Sequence, residues 1–130
     1  MANNEQISIS EEVKRFLNSD HQLLIDGEWV SSSSGEKIPV FDPATEEQLT
    51  EVDSGNQTDI DAAVTAARKA LTGEWSRINS HDRAQLLNKL ADDIEANFSV
   101  LSEMEVLDNG MPLALAQYSI AGHGVTLLRY

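Results

Sequence analysis

The sequence predicts an α+β fold, two short β-hairpin-like pieces followed by three or four helices, and three observations predict it. Between residues 22 and 52 short apolar runs alternate with turn formers. From Thr58 onward the apolar residues recur at a period near 3.6. Each helical stretch is then bounded by residues that cap or break helices. At 130 residues the chain has the length of one ordinary domain. It divides into an N-terminal helix and lead-in (1–21), short strands and hairpins (22–56) and a helical part (57–130).

Residues 8–18 place Ile9, Val13, Phe16 and Leu17 at helical spacing, and Ser8 with Glu11 has the pattern of a capping box. In QLLIDGEWV, residues 22–30, Asp26 and Gly27 suit the positive φ angles of a type I′ turn, so a hairpin is expected. The serines from Ser31 to Ser34, with Gly35, read as a flexible loop. The runs 37–41 and 48–52 flank the turn residues Asp42, Pro43 and Thr45, and Pro39 assigns the first run to a sheet edge.

Ile60, Ala63, Val64, Ala67 and Leu71 then share one helical face, with Thr58 as the expected N-cap and Gly73 as the stop. A second helix from about Ser80 carries Leu87, Leu90, Ala91, Ile94 and Phe98, reaching Asn97 or just beyond. A third carries Val100, Leu101, Met104 and Leu107 and closes on Asn109 and Gly110. Pro112 opens a fourth at the first helical position, where a missing N–H costs least. That helix runs to Tyr130 without a cap or polar tail, so the expectation is a partial domain interrupted inside its last helix.

Composition excludes whole classes of function. There is no cysteine, so disulfides, thiolate metal sites and a cysteine nucleophile are outside this chain's chemistry. A formal charge of −13 with nine scattered Lys and Arg opposes nucleic acid and anionic membranes as partners. No run is long and apolar enough for a membrane span, and the opening MANNEQISISEEVKRF has no signal-peptide pattern. A cytoplasmic location is expected.

The tests for reactive groups within the chain fail. His21, His81 and His123 lack the spacing of a metal-binding helix face. Ser80-His81-Asp82 are sequence neighbours that point different ways, whereas triads are assembled from distant segments, and a helix N-cap explains them. Gly122-His123-Gly124 does not follow a strand and has Leu127 where a dinucleotide fingerprint needs its third glycine. Asp92 with Asp93, and Glu103 with Glu105, read as solvated helix faces. The residues predict no catalytic and no cofactor-binding group.

Seven segments nevertheless carry a resemblance: LLIDGEWV (23–30), SGEKIPVFDPAT (34–45), TDIDAAVTAARKAL (58–71), EWSR (74–77), RAQLLNKLADDIEAN (83–97), EVLDNGMP (105–112) and LRY (128–130). In this order and spacing they resemble the N-terminal part of the NAD(P)-dependent aldehyde dehydrogenase superfamily, an α/β fold that these residues would only begin. The leader VKRFLNSDHQLLIDG is also similar to phenylacetaldehyde-type members. One departure is Met111, where the family usually has Lys after DNG.

The resemblance implies oxidation of an aldehyde to a carboxylate, with NAD or NADP accepting the hydride. In that chemistry a Cys thiolate attacks the carbonyl and a Glu-activated water hydrolyses the thioester. Both residues, the oxyanion-hole Asn and the cofactor-binding Gly-rich turn and Lys belong to later parts of the family chain. The implication is a truncated family member, inactive alone and binding no cofactor by itself, whose aldehyde substrate belongs to the complete enzyme. The alternative is a non-catalytic module that associates with itself or with a full-length relative through uncovered apolar helix faces. By motif matching, the carbonyls of Val40, Phe41 and Asp108 correspond to part of a structural monovalent-cation site. Strand edges and helix ends expose carbonyls in any protein, however, and hard cations want about six oxygens. Ser119 and His123 correspond to the helix beside the family's aldehyde tunnel.

Overall fold

The computed structural model describes residues 9–130. In chain order it contains α1 (Glu11–Leu17), β1 (Leu23–Ile25), β2 (Glu28–Val30), β3 (Lys37–Phe41), β4 (Gln48–Asp53), α2 (Gln57–Ala70), a 3₁₀ turn (Glu74–Arg77), α3 (Ser80–Ala96), α4 (Phe98–Asn109), α5 (Leu113–Gln117), a π-helical segment (Tyr118–Val125) and α6 (Thr126–Arg129). The predicted α+β class is the observed one.

Both hairpins form where the turn chemistry puts them. Asp26 and Gly27 take φ of 53° and 85°, the two positive values a type I′ turn requires, and set the antiparallel register Leu24 to Trp29. β3 and β4 pair antiparallel with Pro39 opposite Glu51, and the register shifts between Val40 and Phe41. The six residues between them are held by Asp42, whose Oδ1 accepts from the Ala44 N–H at 2.8 Å and whose Oδ2 accepts from the Thr45 hydroxyl at 3.1 Å. The two hairpins are tied by a parallel bridge between His21 and Val52, in which the Asp53 N–H donates to the His21 carbonyl at 3.0 Å.

α1 is too short to persist alone. It is capped by Ser10, whose Oγ accepts from the Val13 N–H, and it buries Val13 completely. The Ser10 N–H reaches Glu103 on α4, and α1 and α4 pack together. α3, α4, α5, the π-helical segment and α6 form the helical layer. Among the described residues the buried apolar set is small: Val13, Ala91, Leu107, Ala116 and Val125.

The structure corrects several sequence expectations. Ser8 lies outside the described residues, and the α1 cap is Ser10, because its side chain reaches the Val13 N–H. The α2 N-cap is Asn56 rather than Thr58: its Oδ1 accepts from the Thr58 and Asp59 N–H groups while Asp59 returns the bond to the Asn56 N–H, a reciprocal pair Thr58 cannot make. α2 stops at Ala70, three residues before Gly73, in a turn of i,i+3 bonds that leads to the 3₁₀ turn. α3 is capped by Asn79, not Ser80. Pro112 is the N-cap of α5 rather than its first residue. The expected single fourth helix is divided by the π-helical segment Tyr118–Val125.

A further correction concerns the serine loop. Ser32 is buried, and its N–H donates to Asp53 Oδ2 at 2.8 Å. The Ser33 N–H donates to Asp59 Oδ1 at 3.1 Å, and Asn56 donates through Nδ2 to the Ser33 hydroxyl at 2.8 Å. The loop is a polar clasp joining the end of β2, the end of β4 and the start of α2.

Candidate cation and tunnel sites

Asp108 occupies the last turn of α4, where the final carbonyls of a helix have no intrahelical donor. The sequence makes this acute. Four residues on stands Pro112, which has no N–H, and the Met111 N–H is donated to Asn109 Oδ1 at 3.1 Å. Gly110 ends the helix at φ 70°, and its own N–H goes back to the Val106 carbonyl at 2.9 Å. The Asp108 carbonyl is thereby left to accept from outside the helix. Its neighbourhood is the end of β3: a Cβ on Gly110 would meet Pro43 Cγ at 3.0 Å, so α4 ends against the β3–β4 turn.

Val40 and Asp108 line the same cavity of about 320 Å³, enclosed by α1, the β3–β4 pair and α4. Phe41 follows Val40 across the register shift, where strand pairing is irregular. The structure thus brings the segments of Val40, Phe41 and Asp108 together. The donor chemistry, backbone carbonyl oxygen, suits a hard monovalent cation, and three such oxygens are half of what one wants. Among the described residues no group of three or more His, Asp or Glu could hold a metal. Met111 is half-buried and lines a neighbouring cavity of about 710 Å³ whose wall is mixed, with Leu107 and Leu113 on one side and Asp42, Glu47 and Gln48 on the other.

Ser119 and His123 lie elsewhere, both exposed on the π-helical segment, and line neither cavity. The i,i+5 spacing of that segment brings His123 onto Tyr118, ring centroids 5.0 Å apart and planes at 88°. Gly122 sits under the Tyr118 ring, where a Cβ would come within 3.3 Å of two ring carbons. This explains the glycine beside His123 by close packing.

The polar clasp fixes the far end of the β3–β4 pair. Lys37 on β3 lies 2.5 Å from buried Asp53 and 2.8 Å from Asp20. The hydrogen bond from Lys37, followed by that from the Ser32 N–H, holds the Asp53 carboxyl below its ordinary value of 3.8. Asp59 is also lowered, chiefly by the Asn56 backbone N–H and then by Ser33. Lys37 is raised well above 10.5 by Asp20 and Asp53.

Residues 29–130 match the aldehyde dehydrogenase family. The chain belongs to that family and forms an N-terminal segment of its fold. It is 43% identical over 111 residues to Aldehyde dehydrogenase 1A1 of Bos taurus, a match covering 84% of this chain and 22% of that protein. It is 44% identical over 99 residues to human Retinal dehydrogenase 2, covering 75% of this chain and 19% of the relative. The NAD+ complex of an aldehyde dehydrogenase from Bacillus cereus superposes with a TM-score of 0.90 at 39% identity, covering 95% of this chain and 25% of that one. The chain spans about a fifth of the length of the curated relatives it matches.

Proposed function

We propose that these residues serve an enzyme that oxidises an aldehyde to a carboxylate with NAD or NADP, in the cytoplasm, and that the 130 residues alone perform no turnover. The observation that carries the proposal is the family match over residues 29–130, supported by the close superposition on a relative that binds NAD+. Bound NAD(P) would supply the hydride acceptor. The part assigned to this chain is structural: the Val40, Phe41 and Asp108 carbonyls contribute to a monovalent-cation site completed by residues outside this stretch, and Ser119 and His123 border the aldehyde tunnel. Inactivity alone follows from the chemistry, since hydride leaves a covalent thiohemiacetal and the sequence has no thiol. The test is absorbance of reduced nicotinamide with the purified chain, an aldehyde and NAD or NADP. Turnover above a heat-denatured control would refute the inactivity of the chain alone, and saturable binding of NAD tighter than about a millimolar in calorimetry, worth ~4 kcal/mol, would refute the further expectation that the chain alone holds no cofactor.

A second reading is favoured by the exposed apolar residues. Ile60 and Val64 on one face of α2, and Leu86, Leu87 and Leu90 along α3, are all exposed, and apolar rows at helical spacing, unlike singly scattered residues, mark a surface that association would cover. On this reading the chain is an association module that binds itself or a full-length relative.

A further inference from the structure

We infer that Asn109 is a site of spontaneous covalent modification, conversion through a cyclic imide to aspartate and isoaspartate, and that the closed last turn of α4 holds this reaction in check.

Asn109 is the one asparagine of the sequence followed by glycine. In such a pair the backbone nitrogen of the second residue can close a five-membered ring on the asparagine side-chain amide, and glycine has no Cβ to obstruct the approach. The Gly110 nitrogen loses its proton and bonds to Asn109 Cγ, the Cγ–Nδ2 bond breaks, and the side-chain nitrogen departs with that proton as ammonia. Water then adds to the imide. Opening at Cγ leaves aspartate with the main chain unaltered, whereas opening at the backbone carbonyl leaves isoaspartate, with the main chain running through the former side chain.

Asn109 and Gly110 are both exposed, so solvent reaches the pair. Each reacting group is nevertheless held. The Gly110 N–H, which must lose its proton, donates to the Val106 carbonyl at 2.9 Å. Asn109 Nδ2, the leaving group, donates to Glu105 Oε1 at 2.7 Å, while Oδ1 accepts from the Met111 N–H at 3.1 Å. Ring closure requires the Gly110 N–H to be released and the Asn109 side chain to turn toward it, which disrupts this set of bonds. The reactive state is therefore the opened last turn, and helix ends open more often than helix centres.

Conversion also removes what kept the turn closed. An aspartate at 109 has no donor for Glu105, four residues earlier, and adds a negative charge at the negative end of the helix dipole. An isoaspartyl link lengthens the main chain by one carbon just before Gly110, whose φ of 70° seats α4 against Pro43. Both products disturb the helix end that bears the Asp108 carbonyl.

The experiment incubates the purified chain in neutral buffer and in urea and follows residue 109 by mass spectrometry of its proteolytic peptide, while exchange of the Gly110 amide is recorded in the same buffer. The Gly110 N–H is both the exchanging group and the nucleophile, so one opening controls both readings. Among the asparagines, conversion in urea is expected to be fastest at Asn109. In buffer it is expected to be slower by at least about tenfold, and by the same factor that protects the Gly110 amide. Glu105→Ala, which removes the acceptor for Nδ2, is expected to speed conversion in buffer about threefold, the effect of one exposed hydrogen bond, with an equal loss of Gly110 protection and no change in urea. Three results overturn the inference: no preference for Asn109 in urea, equal rates in buffer and urea for the parent chain, and a slowing in buffer that does not follow Gly110 protection.

Discussion

Gly110 stands where two constraints meet, one of conformation and one of space. Its φ of 70° is costly for any residue with a Cβ, and the Cβ itself would press on Pro43. Gly110→Ala is therefore expected to lower stability by about 1–2 kcal/mol, measured as a shift of the urea midpoint. Gly110→Asn should recover part of that loss, because Asn tolerates the left-handed region, but not the part due to Pro43. Equal losses for the two variants would show that contact with Pro43, and not φ, dominates. The carboxyls of the clasp give a second expectation at this scale. Asp53 and Asp59 lie below their ordinary 3.8, so their contribution is complete above that value and disappears as pH falls through their lower folded values. Lys37 has the opposite sign: its contribution is complete below 10.5 and is lost as pH rises through its raised folded value. Urea midpoints across pH should fall at the acid end, and Asp53→Asn should be less stable at neutral pH and flatter below 3.8 than the parent.

Among the elements, the helices depend on asparagine caps. Asn79 accepts the Asp82 N–H at 2.9 Å, and Asn79→Ala should cost about 1 kcal/mol. Asn56→Ala should cost more, because the side chain caps α2 with two acceptor bonds and also donates to Ser33 in the clasp. Thermal unfolding of the two variants checks the order, and a larger loss for Asn79→Ala would contradict it. α6 is a four-residue element joined to α3 by Arg129, which reaches Asp92 at 2.8 Å and Glu95 at 2.5 Å. Arg129→Ala is expected to raise amide exchange in α6 while changing global stability by less than about 1 kcal/mol, since the pair is exposed to solvent and screened by salt.

For the whole molecule the decisive quantity is uncovered apolar area. The α2 face with Ile60 and Val64 and the α3 face with Leu86, Leu87 and Leu90 are exposed, against five buried apolar residues among those described. At about 25 cal/mol per Å², several hundred Å² left in water forfeits on the order of 10 kcal/mol, comparable to the stability of an entire domain. The chain by itself is expected to associate as concentration rises, read by light scattering. A sharp monomer with strongly protected amides in α3 and α4 would show instead that the fold is autonomous and that the charge of −13 is enough to keep it dispersed.

Local chemistry alone determined the hairpin at Asp26 and Gly27, the stop at Gly110 and the 3.6-residue period of α2 to α4, because each depends on neighbours in sequence. It also placed the free Asp108 carbonyl within reach of deduction, through Pro112 four residues on. The family was legible for a related reason, the order of seven short segments, none of them telling by itself. Other features were decided only by the tertiary structure. The serines at 31–34 read as a loose loop because the anchors of Ser32 and Ser33 are Asp53 and Asp59, more than twenty residues away. For the α2 cap the capping box of Asn56 and Asp59 is local and was open to the sequence, and only the added bond from Asn56 to Ser33 came from the tertiary structure. The π-helical break is also a property of packing, which hydrophobic periodicity does not encode.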